Sequence, residues 1–168
     1  PLVTSSTERR GNAAILHSSA GGPSYARSEL PFKLGANELG RGNGERLAVD
    51  PNDGRVLMLG SRTHGLWRSS DRGARWSRVE SFPAIATSPS ASAENRWRRQ
   101  QIGIVFVVFE PGSGKSGSPT PRMYAGVSTR ETSLYVSDDA GASWRRGPGH
   151  PAGLRPHHIV RVGEGASF

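Results

Sequence analysis

Three groups of residues have the types that chemistry uses. In the first, Ser69 and Asp71 place a hydroxyl and a carboxylate two residues apart, followed by Gly73 and Trp76. The same letters return 68 residues later as Ser137, Asp139, Gly141 and Trp144. A hydroxyl beside a carboxylate is raw material for general acid or nucleophilic catalysis. The spacing argues for a different task. Leu66-Trp67 and Leu134-Tyr135 end one apolar run and each later Trp begins the next, so the residues between must reverse the chain. In such a hairpin the Asp accepts backbone N–H groups two or three residues on, and Gly supplies a positive φ. The Ser braces the turn and the Trp buries its ring against a neighbouring unit. This S-x-D-x-G-x-x-W pattern is the Asp-box, and its Asp reads as a turn brace rather than a catalytic acid, because every partner at these spacings is local.

The second group, Gly112-Ser113-Gly114-Lys115-Ser116, imitates the end of a phosphate-binding loop. That motif needs Gly where Phe109 stands, and Pro119 and Pro121 forbid the helix whose N-terminus would hold the phosphate. Nucleotide binding is rejected, and no cofactor is expected. The third group is His150, His157 and His158. Adjacent histidines on a strand point to opposite faces and no further ligand stands at a useful spacing, so no metal is expected.

The chain has 168 residues, 22 Gly, 12 Pro and no Cys, with 34% apolar residues and a mean hydropathy of −0.53. This composition favours short strands joined by turns, and excludes disulfides and thiolate metal sites. No apolar run is long enough to span a membrane, and no signal segment is visible at the N-terminus. The net charge of +8 comes almost wholly from scattered arginines. The one dense patch, Arg96-Trp97-Arg98-Arg99, has the elements of a phosphate grip with a stacking ring. Without a recognised nucleic-acid module it reads as a solvated loop, and neither nucleic acid nor membrane is expected as a partner.

The elements that position these residues follow in order. Residues 1–11 carry no periodicity and read as a ragged start. Residues 12–31 resemble a degenerate unit in which Ser18, Gly22 and Tyr25 match the box and Ala20 replaces its Asp. A linker, Phe32 to Gly44, leads into a four-stranded unit over 45–83, with Asn52-Asp53-Gly54 predicting a hairpin in which Asp-Gly fills a type I′ turn. A second unit over 102–151 repeats the order with six more residues in its first hairpin. Residues 155–168 begin another, with a strand predicted over His157–Val162. Four-stranded units in tandem build a β-propeller. The predicted fold is therefore all-β, a partial propeller of about two complete blades and parts of two more. Open edges on both sides predict marginal stability for the segment alone.

In a propeller the links between blades lie on the face opposite the hairpins that precede the outer strands. That geometry puts the boxes away from any ligand, and makes Phe32–Glu45, Ser61–Gly65, Ala84–Gln101, Ser128–Ser133 and Gly149–Pro156 the candidate ligand face. Asn37, Arg41, Glu45 and Arg46 have the amide, carboxylate and guanidinium groups that hydrogen-bond sugar hydroxyls. Pairing of Glu45 with Arg41 or Arg46 to order the loop is an equal alternative.

Gly40-Arg41, Gly44 through Pro51 (GERLAVDP), Gly65 through Asp71, Ser81-Phe82-Pro83, Ser118 through Pro121 and Tyr124 through Val127 resemble glycoside hydrolase family 74, the xyloglucanases and related endoglucanases. The likeness covers roughly residues 12 to 160, in order and with matching gaps. It implies two propellers facing each other across a cleft that holds a β-1,4-glucan with xylose branches, and an extracellular enzyme of plant cell-wall polysaccharide. It implies inverting hydrolysis by two separated Asp carboxyls, a base and an acid. In the family the base belongs to a T-D-x-G-G-like segment before the matched region and the acid to the second propeller. No catalytic residue is therefore assigned in this chain, and the segment alone is expected to be inactive. The rival expectation is a non-catalytic Asp-box propeller that binds a protein or membrane partner.

Overall fold

The computed structural model describes residues 12–18, 23–33, 46–83, 103–129 and 132–149, with 153, 156 and 159, and the backbone of 2–5. Among the described residues its regular structure is β-strand, apart from a 3-10 turn at Pro111–Ser113. Strands β1 (Leu2–Ser5), β2 (Ala14–His17) and β3 (Ala26–Glu29) form a three-stranded antiparallel sheet in that order. Strands β4 (Arg46–Val49), β5 (Leu57–Gly60), β6 (Leu66–Ser69) and β7 (Ser77–Arg78) form a four-stranded antiparallel meander. The meander is repeated by β8 (Ile104–Phe109), β9 (Met123–Val127), β10 (Leu134–Ser137) and β11 (Arg145–Arg146). Within the stretch read from sequence as ragged, β1 pairs with β2 along its whole length. Residues 84–101, and most of the predicted strand at 157–162, lie outside the described residues.

These sheets stack face to face, which explains why the middle strand β5 is buried along its whole length. Side chains alternate across a strand. Leu59 joins Ala13, Ile15, Leu30 and Phe32 of the first unit, with Leu47, Trp67 and Trp76 against them. Met58, on the other face, joins Ile104, Val107, Phe109, Met123, Ala125 and Val127 of the third. Approach is close enough that a Cβ at Gly60 would collide with Ile104. The pairing of β8 with β9 slips between Ile104 and Phe106, passing over Val105. A bulged residue has no ladder partner, and the Val105 carbonyl accepts the Nε–H of Arg46 from the preceding blade.

A buried carboxylate fastens the second sheet to the third. Asp50, 2% exposed at the end of β4, accepts the backbone N–H groups of Asn52 and Asp53 at 2.8 and 3.2 Å. From the next unit it accepts the N–H of Thr120 at 2.7 Å and the Thr120 hydroxyl. Asn52 Nδ2 donates to the Pro111 carbonyl and to Thr120 Oγ1, both at 2.9 Å, and Gly117 N–H donates to the Asn52 carbonyl at 2.7 Å. The extra residues of the third unit's first hairpin therefore reach back and clamp the preceding one. This also corrects the expected type I′ turn. Neither Asp53 nor Gly54 has a positive φ, because the Asp50 carboxylate winds the loop instead.

Asp50→Ala leaves buried donors of Thr120 without an acceptor, so it should lower the unfolding free energy by about 2–3 kcal/mol. Glu29→Ala, at an exposed site, should change it by no more than about 0.5 kcal/mol. Urea denaturation followed by tryptophan fluorescence measures both.

Candidate functional site

The strands present two ends. At one lie the first hairpin and the box turn of each blade, joined by Arg72 N–H to the Arg55 carbonyl and Ala140 N–H to the Pro121 carbonyl, each at 2.9 Å. At the other lie Ser61–Gly65 and the entry to β8, joined by Ile104 N–H to the Ser61 carbonyl at 3.1 Å, and Ser128 N–H bonds the Gly103 carbonyl at 2.9 Å.

The box turns are built alike. Ser69 Oγ accepts the N–H groups of Asp71 and Gly73 at 3.3 and 2.9 Å and donates to Asp71 Oδ1 at 2.9 Å. Asp71 Oδ1 then accepts Arg75 N–H at 2.8 Å. In the later copy Ser137 accepts Asp139 and Gly141 N–H at 3.4 and 2.8 Å, and Asp139 accepts Ser143 N–H at 2.8 Å. The hydroxyl holds the near N–H groups and the carboxylate reaches four residues on, farther than the two or three expected from sequence. The chain passes through positive φ at Arg72 (61°) and Gly73 (88°), and again at Ala140 (56°) and Gly141 (88°). Both rings face the preceding blade, Trp76 with Leu30 and Phe32 in one cluster and Trp144 edge-on to Phe82 at 5.0 Å.

The carboxylates of this end are held in their ionised form. The Ser143 hydroxyl and N–H, with the Ser137 hydroxyl, bring Asp139 down to about 2. Arg75 N–H, then the Ser69 hydroxyl and the Arg75 side chain, lower Asp71. Arg55 brings Asp53 down to about 2, and Arg122 and Arg145 lower Asp138. Carboxylates so committed to the ionised form are poor proton donors at neutral pH.

The opposite end holds the Ser61–Gly65 loop and the start of β4. Of the four residues suited to sugar hydroxyls, Asn37, Arg41 and Glu45 lie outside the described residues. Arg46 is half-buried and spends its Nε–H on Val105. The Ser61–Gly65 loop is closed on itself. Ser61 Oγ donates to the Gly65 carbonyl and accepts His64 N–H, both at 2.8 Å, and Gly65 sits at φ 74°. His64 is exposed and stacks on Phe32, with ring centroids 4.4 Å apart and planes 11° from parallel. Trp67 Nε1–H donates to the His64 carbonyl at 2.8 Å. Sequence reading placed this loop on the ligand face but did not single out His64. Nor did it find the Asp50–Thr120 clamp, whose one visible sign is an Asp-Pro-Asn-Asp run able to fold onto its own first carboxylate. Among the described residues no three His, Asp or Glu side chains are grouped to hold a metal ion.

Antiparallel four-stranded meanders packed face to face, with a box turn before each outer strand, make this chain an arc of a β-propeller. No family model matches it. It is 46% identical over 159 residues to a xyloglucanase of Acetivibrio thermocellus, covering 92% of this chain and 18% of that protein. It is 44% identical over 160 residues to a xyloglucanase of a Paenibacillus species, covering 95% of this chain and 16% of that one. The crystal structure of the family 74 xyloglucanase from Xanthomonas campestris matches it with a TM-score of 0.78 at 56% identity, over 94% of this chain and 23% of that one. The chain thus spans less than a fifth of the length of the curated relatives it matches. Over that span it resembles the xyloglucanases of glycoside hydrolase family 74.

A depressed carboxyl gives stability that is fully present above its unfolded value near 4. That stability is lost as pH falls through about 2 for Asp139. Ser143→Ala removes its largest stabilising partner, so the Asp139 titration followed by carboxyl carbon NMR should move up toward 4. The acid unfolding midpoint should rise with it.

Proposed function

We propose that this chain is a segment of an extracellular glycoside hydrolase that cleaves xyloglucan or a related β-1,4-glucan by inversion. The observation that carries the reading is the identity of 46% over 159 residues to a xyloglucanase. It is supported by a fold in which loops of successive blades gather at one end while the box turns are tied down at the other. On this reading the substrate is a plant cell-wall polysaccharide, met at the end that carries Ser61–Gly65. A second propeller of the longer protein forms the opposite wall of the cleft, and the two catalytic carboxyls come from outside these 168 residues. Asp71 and Asp139 serve as braces, in keeping with carboxyls that are fully engaged inside their own turns. Asn37, Arg41 and Glu45, in the linker that precedes β4 in sequence, are the candidate contacts to sugar hydroxyls. Arg46 contributes by holding the adjacent strand.

The longer translation product that contains this chain should release xylose-branched oligosaccharides from xyloglucan, with the new reducing end first formed in the α configuration by NMR. The 168-residue chain alone should release no more reducing sugar than a heat-killed control. A folded longer product inert on xyloglucan and on unbranched β-1,4-glucan would overturn the reading.

A further inference from the structure

Gly103 stands where two loops of the substrate end meet, and the chain there has no room for a side chain. It precedes β8 with a φ of 90°, a conformation that glycine adopts without steric cost. A Cβ added to it would collide with the carbonyl oxygen and Cα of Arg62, backbone atoms that cannot swing aside as the tip of a side chain can. Backbone hydrogen bonds leave this point in two directions. The Gly103 carbonyl accepts Ser128 N–H at 2.9 Å, and the N–H of the next residue, Ile104, donates to the Ser61 carbonyl at 3.1 Å. Ser61 opens the loop between β5 and β6, and Ser128 opens the loop between β9 and β10. These are the corresponding loops of successive blades, so the segment Gly103-Ile104 ties the first residue of one to the first residue of the other. The earlier loop is also closed on itself by Ser61 Oγ on the Gly65 carbonyl, which makes it a firm surface for Gly103 to press against.

Resting on the proposed function above, we infer that Gly103 is a positioning residue that sets the preference for long glucan chains. It fixes the separation at which two successive blades meet one polysaccharide. Loops whose spacing is set before binding lose little freedom when a chain crosses both of them. A chain that reaches only one loop is indifferent to that spacing. Close approach is the means, because any larger residue at 103 must push the Arg62 backbone away and part the two loops.

The test uses the longer protein, and compares polymeric xyloglucan with the shortest xylose-branched β-1,4-gluco-oligosaccharide that the unmutated protein cleaves. Gly103→Ala should raise KM on the polymer about three- to tenfold, the loss expected when one or two side chains must be ordered anew on binding. That rise should exceed the fall in kcat, and KM on the short substrate should move by less than about twofold. Asp50→Ala is the control for loosened blades, since it removes the clamp at the opposite end. It should lower the melting temperature and leave the ratio of the two KM values in place. Where Gly103→Ala does not fold, Ser128→Pro decides. Ser128 follows a strand residue and has no positive φ, so proline is accommodated there and takes away the N–H given to Gly103. An unchanged KM ratio, in a folded variant that still hydrolyses xyloglucan, overturns the inference and leaves the functional reading standing. So does an equal change of the ratio in Asp50→Ala, which marks general loosening. An unmutated protein inert on xyloglucan overturns the inference, and one inert on unbranched β-1,4-glucan as well overturns the functional reading with it.

Discussion

A carboxylate without a cationic partner among its described hydrogen bonds joins two blades of this arc. Asp50 accepts two N–H groups from its own loop and two donors from Thr120, and it is almost wholly buried. Burying a carboxyl group at such a depth is costly unless its oxygens are hydrogen-bonded, and here both are. The consequence extends beyond the loop. Sheets stacked through apolar faces can slide, since such contacts have no direction. The Asp50–Thr120 bonds are directional, and they fix the register in which Met58 faces Met123 and Ala125. Arg46, reaching the bulged carbonyl of Val105, adds a further directional link between the same blades.

The division of labour between the two ends follows from that register. At one end the Ser–Asp pairs satisfy the polar groups of each turn with those of the same turn. Between successive units, loops bond to each other at both ends, through Asp50, Asn52 and Thr120 beside the box turns and through Ser61 and Ile104 opposite them. Two xyloglucanases match this arc at 44–46% identity.

Much of this was legible in the sequence, and the reasons are physical. The box residues are read easily because the turn needs a small hydroxyl, a carboxylate and a glycine at fixed offsets, and every bond they make is local. The order of strands followed from the spacing of those turns. What stayed hidden depends on distant partners. Nothing in Asn52-Asp53-Gly54 tells that Asp50 will wind the loop and that Thr120, 70 residues away in sequence, will complete the network. The strand at Leu2–Ser5 shows no alternation of its own and is defined by pairing with Ala14–His17. Arg46 has the chemistry of a sugar ligand, yet a bulge in a neighbouring strand claims it.

The two box turns share their letters but not their wiring. In the earlier one the Gly73 carbonyl accepts Trp76 Nε1–H at 3.0 Å. In the later one the matching Gly141 carbonyl accepts the Ser81 hydroxyl of the preceding blade at 3.2 Å, and the buried Trp144 Nε1 has no hydrogen-bond partner among the described residues. One copy is self-contained and the other has traded an internal bond for a tie to its neighbour. Transplanting either octapeptide into the other's place would therefore preserve the consensus and still break a contact, so these units are not interchangeable cassettes.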